Sequence, residues 1–496
     1  MKTEDSSQTL TRLPSPWISL VPILVLVLML VLTIRLYGSD ALGGGSQVSL
    51  LVAAAVCVAL STLVYRTPWK RFEQALGHTV SEASVSIIIL LVIGMLSGSW
   101  MLSGVVPTMI CYGIQIMSPR FFLFFACLIC AVVSVLTGSS WTTIATIGLA
   151  LLGIGNALGI SEAWTAGAII SGAYFGDKIS PLSDTTILAS SASGTELFAH
   201  IRYMLGTTVP SILITLLIFG VAGFFLGQGG DIEADEYVSG LRGTFHISAW
   251  TLLIPLFTCV LIALRLPSLV TLFLAALAGA VGALFLQPEI LAQVSGKGFS
   301  FMSMAEGTMT GLFTSTHIDT GSQALNDLVA TNGMAGMLDT VWLILCAICF
   351  GAMMNASGML QSLTSVIIRA ISGRTSLVSS TVASGLLLNL TTGDQYISII
   401  LTANMFKDVY RKKGFESRLL SRTTEDAVTV TSVLVPWNSC GMTQSTVLGV
   451  ATLTYLPYCF FNLISPVMSI LVAATGKGIR RQSPADTAET VPAEIA

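Results

Sequence analysis

Two stretches of this chain place hydroxyl oxygens, and one of them carboxylates as well, beside helix-breaking residues inside otherwise apolar sequence. One reads Gly176-Asp177-Lys178-Ile179-Ser180-Pro181-Leu182-Ser183-Asp184-Thr185-Thr186. Pro181 lacks a backbone donor and its ring clashes with the preceding turn, so a helix must break there. Asp177 and Asp184 flank the break, and Ser183, Thr185 and Thr186 surround Asp184 with further oxygens. Hydroxyls, carboxylates and freed carbonyls are the ligands a desolvated Na+ requires. A charged side chain at the centre of a bilayer costs roughly 2.5–3.5 kcal/mol even on a lenient scale. Two acids there call for pairing, water or function. Lys178 adjoins Asp177, but neighbours on a helix point apart, so it is read as an anchor snorkelling to the interface.

The other stretch is Thr137-Gly138-Ser139-Ser140-Trp141-Thr142-Thr143, in the middle of an uncharged run. Gly138 and the hydroxyls of Thr137, Ser139 and Ser140 let the chain turn and expose carbonyls. Both stretches recur 255 positions later, as Thr392-Gly393-Asp394-Gln395-Tyr396 and Val435-Pro436-Trp437-Asn438-Ser439. Asn355-Ala356-Ser357-Gly358 parallels Met101-Leu102-Ser103-Gly104 at nearly the same spacing. A Gly/Ser/Thr-rich break followed by a Pro-interrupted helix, present twice, points to a secondary transporter built on an internal repeat. The second half moves its acid: Asp394 lies in the hairpin, with Asn389 before it, whereas the Pro436 break offers the amide and hydroxyl of Asn438 and Ser439.

The elements that must position these residues are membrane helices. Of 496 residues, 53% are hydrophobic and 10% are Asp, Glu, Lys or Arg, with a mean hydropathy of +0.82. Soluble proteins carry about 25% charged residues, so a soluble enzyme and a disordered chain are excluded. A net charge of −3 offers no basic surface for nucleic acid. Continuous apolar runs, not alternation, exclude a β-barrel. Residues 83–119, 121–161, 203–230, 340–368 and 427–476 carry no charge. The first run is too long for one ordinary span, and Ser97-Gly98-Ser99 and Gly104 are read as interruptions. Roughly ten to twelve crossing elements are expected. Residues 17–34 and 48–64 read as the first two.

Arg66, Lys70, Arg71 and the cluster from Lys407 to Arg422 place their loops, and both termini, in the cytoplasm. The expected organisation is two N-terminal helices (1–70), a first repeat (71–227), a polar loop with connecting helices (228–325), a second repeat (326–475) and a disordered tail (476–496). Glu425 and Asp426 read as helix-start caps, and no buried Arg is evident near the breaks. The nine cysteines lie in apolar surroundings and read as packing residues. Neither a Walker motif nor a His/Cys metal cluster is present, so no enzyme activity and no cofactor are expected.

At Thr137–Thr143, Ala166–Thr186, Asn389–Leu401 and Val435–Gly441 the chain resembles the NhaC family of Na+/H+ antiporters, which includes malate/lactate antiporters. The resemblance covers residues 70–473 apart from the middle, and departs at Ile187, where Asn is expected in many relatives. It implies an all-α polytopic protein of the inverted-repeat elevator class. Two re-entrant hairpins have their tips near Thr137–Trp141 and Thr392–Tyr396, and two unwound helices near Pro181 and Pro436 face those tips. A scaffold domain mediates homodimerisation in that picture.

The expected activity is exchange of cytoplasmic Na+ for external H+ across the plasma (cell inner) membrane, with lipid as the surrounding partner. The cation and proton site comprises Asp184, Asp177, Asp394, Ser183, Thr185, Asn438 and Ser439. Na+ and H+ compete for it, the carboxylate of Asp184 binding one or the other, with Asp177 or Asp394 as alternatives that could share that role. The alternative on the same fold is a Na+- or H+-coupled carrier of a small organic solute, a malate- or lactate-type carboxylate or an amino acid.

Overall fold

A computed structural model describes residues 13–37, 44–226, 231–322, 325–326, 329–476, 478–479 and 481. The expected tail from 482 onward lies outside these residues. Apart from two isolated bridges, Thr316 with Thr331 and Phe415 with Arg481, the regular structure described is helical. Eight of the described helices are long and apolar enough to cross a membrane, or ten if each of two bent pairs counts as a span. This is fewer than most of the expected range, because several elements around the breaks are half-length. The first two spans are Pro16–Tyr37 and Gly45–Tyr65. The polar loop expected at the start of 228–325 contains a helix, Asp231–Thr244.

Twelve helices frame the functional residues. The first half supplies α1 (Trp69–Leu102), α2 (Val105–Ile116), α3 (Phe122–Thr137), α4 (Ser140–Ala157), α5 (Glu162–Ile179) and α6 (Asp184–Ser193). The second supplies α7 (Leu338–Ala356), α8 (Met359–Arg369), α9 (Arg374–Thr392), α10 (Gln395–Lys412), α11 (Ser417–Thr424) and α12 (Ser439–Leu448). The 255-residue offset of the sequence is an offset of helix boundaries too. It separates the ends of α3 and α9, both ends of α4 and α10, the starts of α5 and α11, and both ends of α6 and α12.

Local chemistry sets these boundaries. α3 and α9 each end on a glycine with φ of 67°, Gly138 and Gly393, a left-handed conformation that glycine adopts at little cost. Ser139 and Asp394 then cap the next helix, their side chains accepting from Thr142 N and Ile397 N. Ser180 and Val435 precede the prolines and are extended, with ψ of 130° and 116°, as the proline ring demands of its predecessor.

Ser97-Gly98-Ser99 does not interrupt the chain. α1 runs through it and ends only before Gly104. Gly98 serves a close approach instead: a Cβ there would lie 2.0 Å from the Gly311 carbonyl oxygen. The Ser99 hydroxyl bonds back to the Leu96 carbonyl within the helix. Small residues likewise bring α3 against α5, where a Cβ on Gly172 would lie 2.1 Å from the Cys127 carbonyl oxygen. Close backbone approach through small side chains is how membrane helices associate. It is what holds Asp177, on α5, beside the turn that follows α3.

Gly172→Val should therefore force α3 and α5 apart and destabilise the protein by about 1–3 kcal/mol. Thermal unfolding of purified protein in detergent reads this; an unshifted transition would show that the contact is not tight.

Candidate functional site

The site is built around one buried carboxylate. Asp177, in the last turn of α5, is 6% exposed. Its Oδ2 accepts the Ser140 backbone N–H at 3.1 Å and the Ser140 hydroxyl at 2.6 Å. Its Oδ1 accepts the Ser183 hydroxyl at 2.6 Å. One side chain thus ties the first hairpin turn to the Pro181 break. Gly138 packs on the same break, since a Cβ there would lie 2.7 Å from the Leu182 carbonyl carbon. The Ser183 hydroxyl also meets Thr185 Oγ1 at 2.9 Å. Hydrogen bonds to a charged acceptor are the stronger kind, so this knot fixes the geometry at the break.

The second half makes the same tie with the acid on the other partner. Asp394, in the hairpin turn, is 2% exposed. Its Oδ1 accepts Ile397 N at 3.0 Å while its Oδ2 accepts the Ser439 hydroxyl at 3.1 Å, across to the Pro436 break. Ser439 N donates to the Gly393 carbonyl at 2.8 Å. The turns themselves match. Thr137 Oγ1 meets Thr143 Oγ1 at 3.0 Å, and Thr392 Oγ1 meets Ser398 Oγ at 2.7 Å. Asn438 caps α12 through Cys440 N, as Ser183 caps α6 through Thr186 N. Asn389 is set back from the tip, inside α9, because its amide is spent on the Val428 carbonyl and Thr431 Oγ1.

Asp184 behaves differently. It opens α6 and is exposed into a small cavity that Asp177 and Thr185 also line. Gly138, Ser139, Trp141 and Thr142 of the first hairpin close one side, and Gln395 and Tyr396 of the second hairpin close another. Asp177, Ser183, Asp184, Thr185 and the first hairpin are thereby brought together. Asp394, Asn438 and Ser439 form their own knot and do not line this cavity. Among the described residues no Arg, Lys or His lines it either. The N-termini of α4, α6 and α10 converge on it. Their partial positive charge suits ionised carboxylates, and the two acids make the cavity suit a cation.

Several buried charges escaped the sequence reading. Lys178 does not snorkel. It is 0% exposed, and its Nζ pairs with Asp426 Oδ1 and bonds Ser465 Oγ at 2.9 Å. Glu425 and Asp426 are not exposed helix-start caps: both lie at 0% exposure in a π-helical turn, Glu425–Thr429, that continues α11. Arg422 is a buried arginine after all, at 2% exposure, with its Nε 3.7 Å from Asp426 Oδ2 and its guanidinium over the Tyr203 ring. Lys178 and Asp426 are 248 positions apart, so nothing in local spacing announces the pair. Tyr396, Gln395 and Trp141 were visible as parts of the turns but not as cavity walls. Among the described residues no cluster of His, Cys, Asp and Glu could hold a metal ion as a resident group.

Comparison with known proteins gives the family. A family model described as the Na+/H+ antiporter family matches residues 172–477, and one described as L-lactate permease matches residues 45–228. The chain is 34% identical over 435 residues to the Na(+)/H(+) antiporter NhaC of Bacillus subtilis, covering 86% of this chain and 92% of that one. It is 36% identical over 413 residues to the Malate-2H(+)/Na(+)-lactate antiporter of the same organism, covering 83% and 85%. It is 32% identical over 480 residues to the Arginine/ornithine antiporter ArcD of Halobacterium salinarum, covering 96% and 95%.

Replacing Asp177 by Leu would leave the Ser140 N–H and two hydroxyls buried without their acceptor. Each such loss costs about 1–3 kcal/mol, so Asp177→Leu should lower the unfolding temperature clearly. An unchanged transition would mean the carboxylate does not hold hairpin and break together.

Proposed function

The chain belongs to the Na+/H+ antiporter family, and from that premise we propose that it exchanges cytoplasmic Na+ for external H+ at the cavity between the hairpins and the Pro181 break. The observation that carries this reading is the pair of carboxylates in that cavity. Asp177 is committed to three hydrogen bonds, whereas Asp184 is open to the cavity. Asp184, with Thr185 and the oxygens of the first hairpin, binds Na+ when ionised and a proton otherwise. The two cations then exclude each other at one site. Asp177 and Ser183 hold the geometry, and Asp394, Asn438 and Ser439 hold the opposite hairpin in register.

Alternation of access follows from the repeat. Two halves whose helix boundaries recur at one offset, each with a half-helix break, are the arrangement expected of transporters that move a site between membrane faces. We read the halves as inverted repeats and the movement as elevator-like, with the hairpins and broken helices travelling together. The plasma membrane, both termini in the cytoplasm and a homodimer complete this reading.

A second reading keeps the fold and changes the cargo. Three helix N-termini converge on the cavity, and such termini bind anionic groups. A carboxylate or amino-acid solute could enter with Na+, as the names of the malate/lactate and arginine/ornithine relatives suggest. The absence of a basic lining residue favours the inorganic cation.

Purified protein in liposomes, with an internal pH dye, a clamped membrane potential and a Na+ gradient, decides between them. Proton movement that follows Na+ without any organic solute, and that falls to the level of empty liposomes in Asp184→Asn, is the expected result. Activity retained in Asp184→Asn would reject the assignment. Silence of the wild type, with transport of labelled acids or amino acids, would establish the second reading.

A further inference from the structure

We propose that Glu425 is a proton-binding site separate from the cation cavity, and that a cation arriving beside Asp177 and Asp184 expels its proton. The proposal rests on the antiport reading above and adds a second, remote proton site to it.

Glu425 opens the π-helical turn Glu425–Thr429. Single π turns within α-helices occur frequently at functional sites. Its side chain is 0% exposed, and neither carboxyl oxygen makes a hydrogen bond of good geometry, the Thr429 hydroxyl one turn on being near but poorly aligned. Its neighbour in sequence is the opposite case. Asp426 takes Lys178, Thr207 Oγ1 at 3.0 Å and Ser465 Oγ at 3.4 Å. Lys178 is therefore engaged through Asp426 Oδ1, and Arg422 Nε approaches Asp426 Oδ2 at 3.7 Å without a hydrogen bond; Glu425 shares in neither contact. An ionised carboxylate buried without a partner is strongly unfavourable. In this conformation the group is a neutral acid.

The charged groups facing Glu425 are Asp177 and Lys178 of α5 and its own neighbour Asp426. Of the other elements packed against the π turn, α6 carries Asp184 and α10 carries Tyr396 nearest the cavity, with Lys407, Asp408, Tyr410, Arg411 and Lys412 further along. α11 carries Arg418 and Arg422, α9 carries only Arg374 at its far start, the helix Phe460–Thr475 carries no ionisable group, and the helix Leu197–Leu226, which bonds Asp426 through Thr207, carries His200, Arg202 and Tyr203. Asp177 thus lies in the cavity wall and is next in sequence to Lys178, which reaches across to Asp426, the neighbour of Glu425. A cation bound there adds positive charge that favours the ionised form of a nearby acid. The O–H bond of Glu425 then breaks heterolytically, the carboxylate keeps the electron pair, and bulk water takes the proton.

The test titrates weakly buffered, detergent-purified protein with NaCl, counting released protons with a pH dye and bound ions with radioactive sodium. Wild type should release protons as Na+ binds. Glu425→Gln should still bind Na+ but release fewer protons per ion, the loss being the one proton of Glu425, and Glu425→Asp should restore the count. A count in Glu425→Gln equal to wild type overturns this proposal and leaves the antiport reading standing. A wild type that binds Na+ without releasing any proton, or binds none, overturns both. If Glu425→Gln does not fold, infrared difference spectra of Na+-loaded minus Na+-free wild type serve instead. Na+ should remove a protonated-carboxyl carbonyl band that shifts in Glu425→Asp; a band absent or unmoved overturns the proposal.

Discussion

The arrangement depends on one buried carboxylate that accepts hydrogen bonds from two separate segments. Asp177 takes the Ser140 backbone N–H and hydroxyl from the first hairpin and the Ser183 hydroxyl from the Pro181 break. In a medium where an unmet polar group costs several kcal/mol, those bonds are nearly obligatory. Most other features nearby serve that meeting. Gly172 lets α5 lie against α3; Gly138 turns the chain so that Ser140 points back at α5; Pro181 ends α5 so that Ser183 can fold over the acid.

The second half solves the same mechanical problem with its chemistry reversed. There the acid, Asp394, is in the hairpin and the hydroxyl, Ser439, is in the break. A hairpin and a broken helix are locked in both halves, but only the first half leaves a further carboxylate, Asp184, free to face the cavity. The scaffold is thus nearly symmetric while the site is not. Both acids of the cavity thus come from the first half, with the second hairpin contributing walls through Gln395 and Tyr396.

What could be read from sequence was what local backbone chemistry dictates. Gly138, Gly393, Pro181 and Pro436 announce breaks because few conformations suit them, and the offset of 255 shows at the helix ends and starts that these residues set. Side-chain partnerships across the fold were not legible. Lys178 next to Asp177 reads as an anchor until a helix 248 positions away delivers Asp426 to it. Glu425 and Asp426 carry the signature of a helix start, yet they sit inside a continuous helix whose π turn has no sequence mark. Ser97-Gly98-Ser99 has a turn's composition, but its glycine serves contact with Gly311. Composition cannot distinguish a glycine that bends the chain from one that lets two helices touch.

The central claim is that Na+ and H+ compete for an ionisable oxygen site in this cavity. The most direct measurement is the Na+ dissociation constant of the purified protein, by titration calorimetry, at a series of pH values. The account predicts that affinity weakens as pH falls, approaching a tenfold loss per pH unit where one proton must leave for each ion bound. A Na+ affinity that stays constant across the series would contradict it.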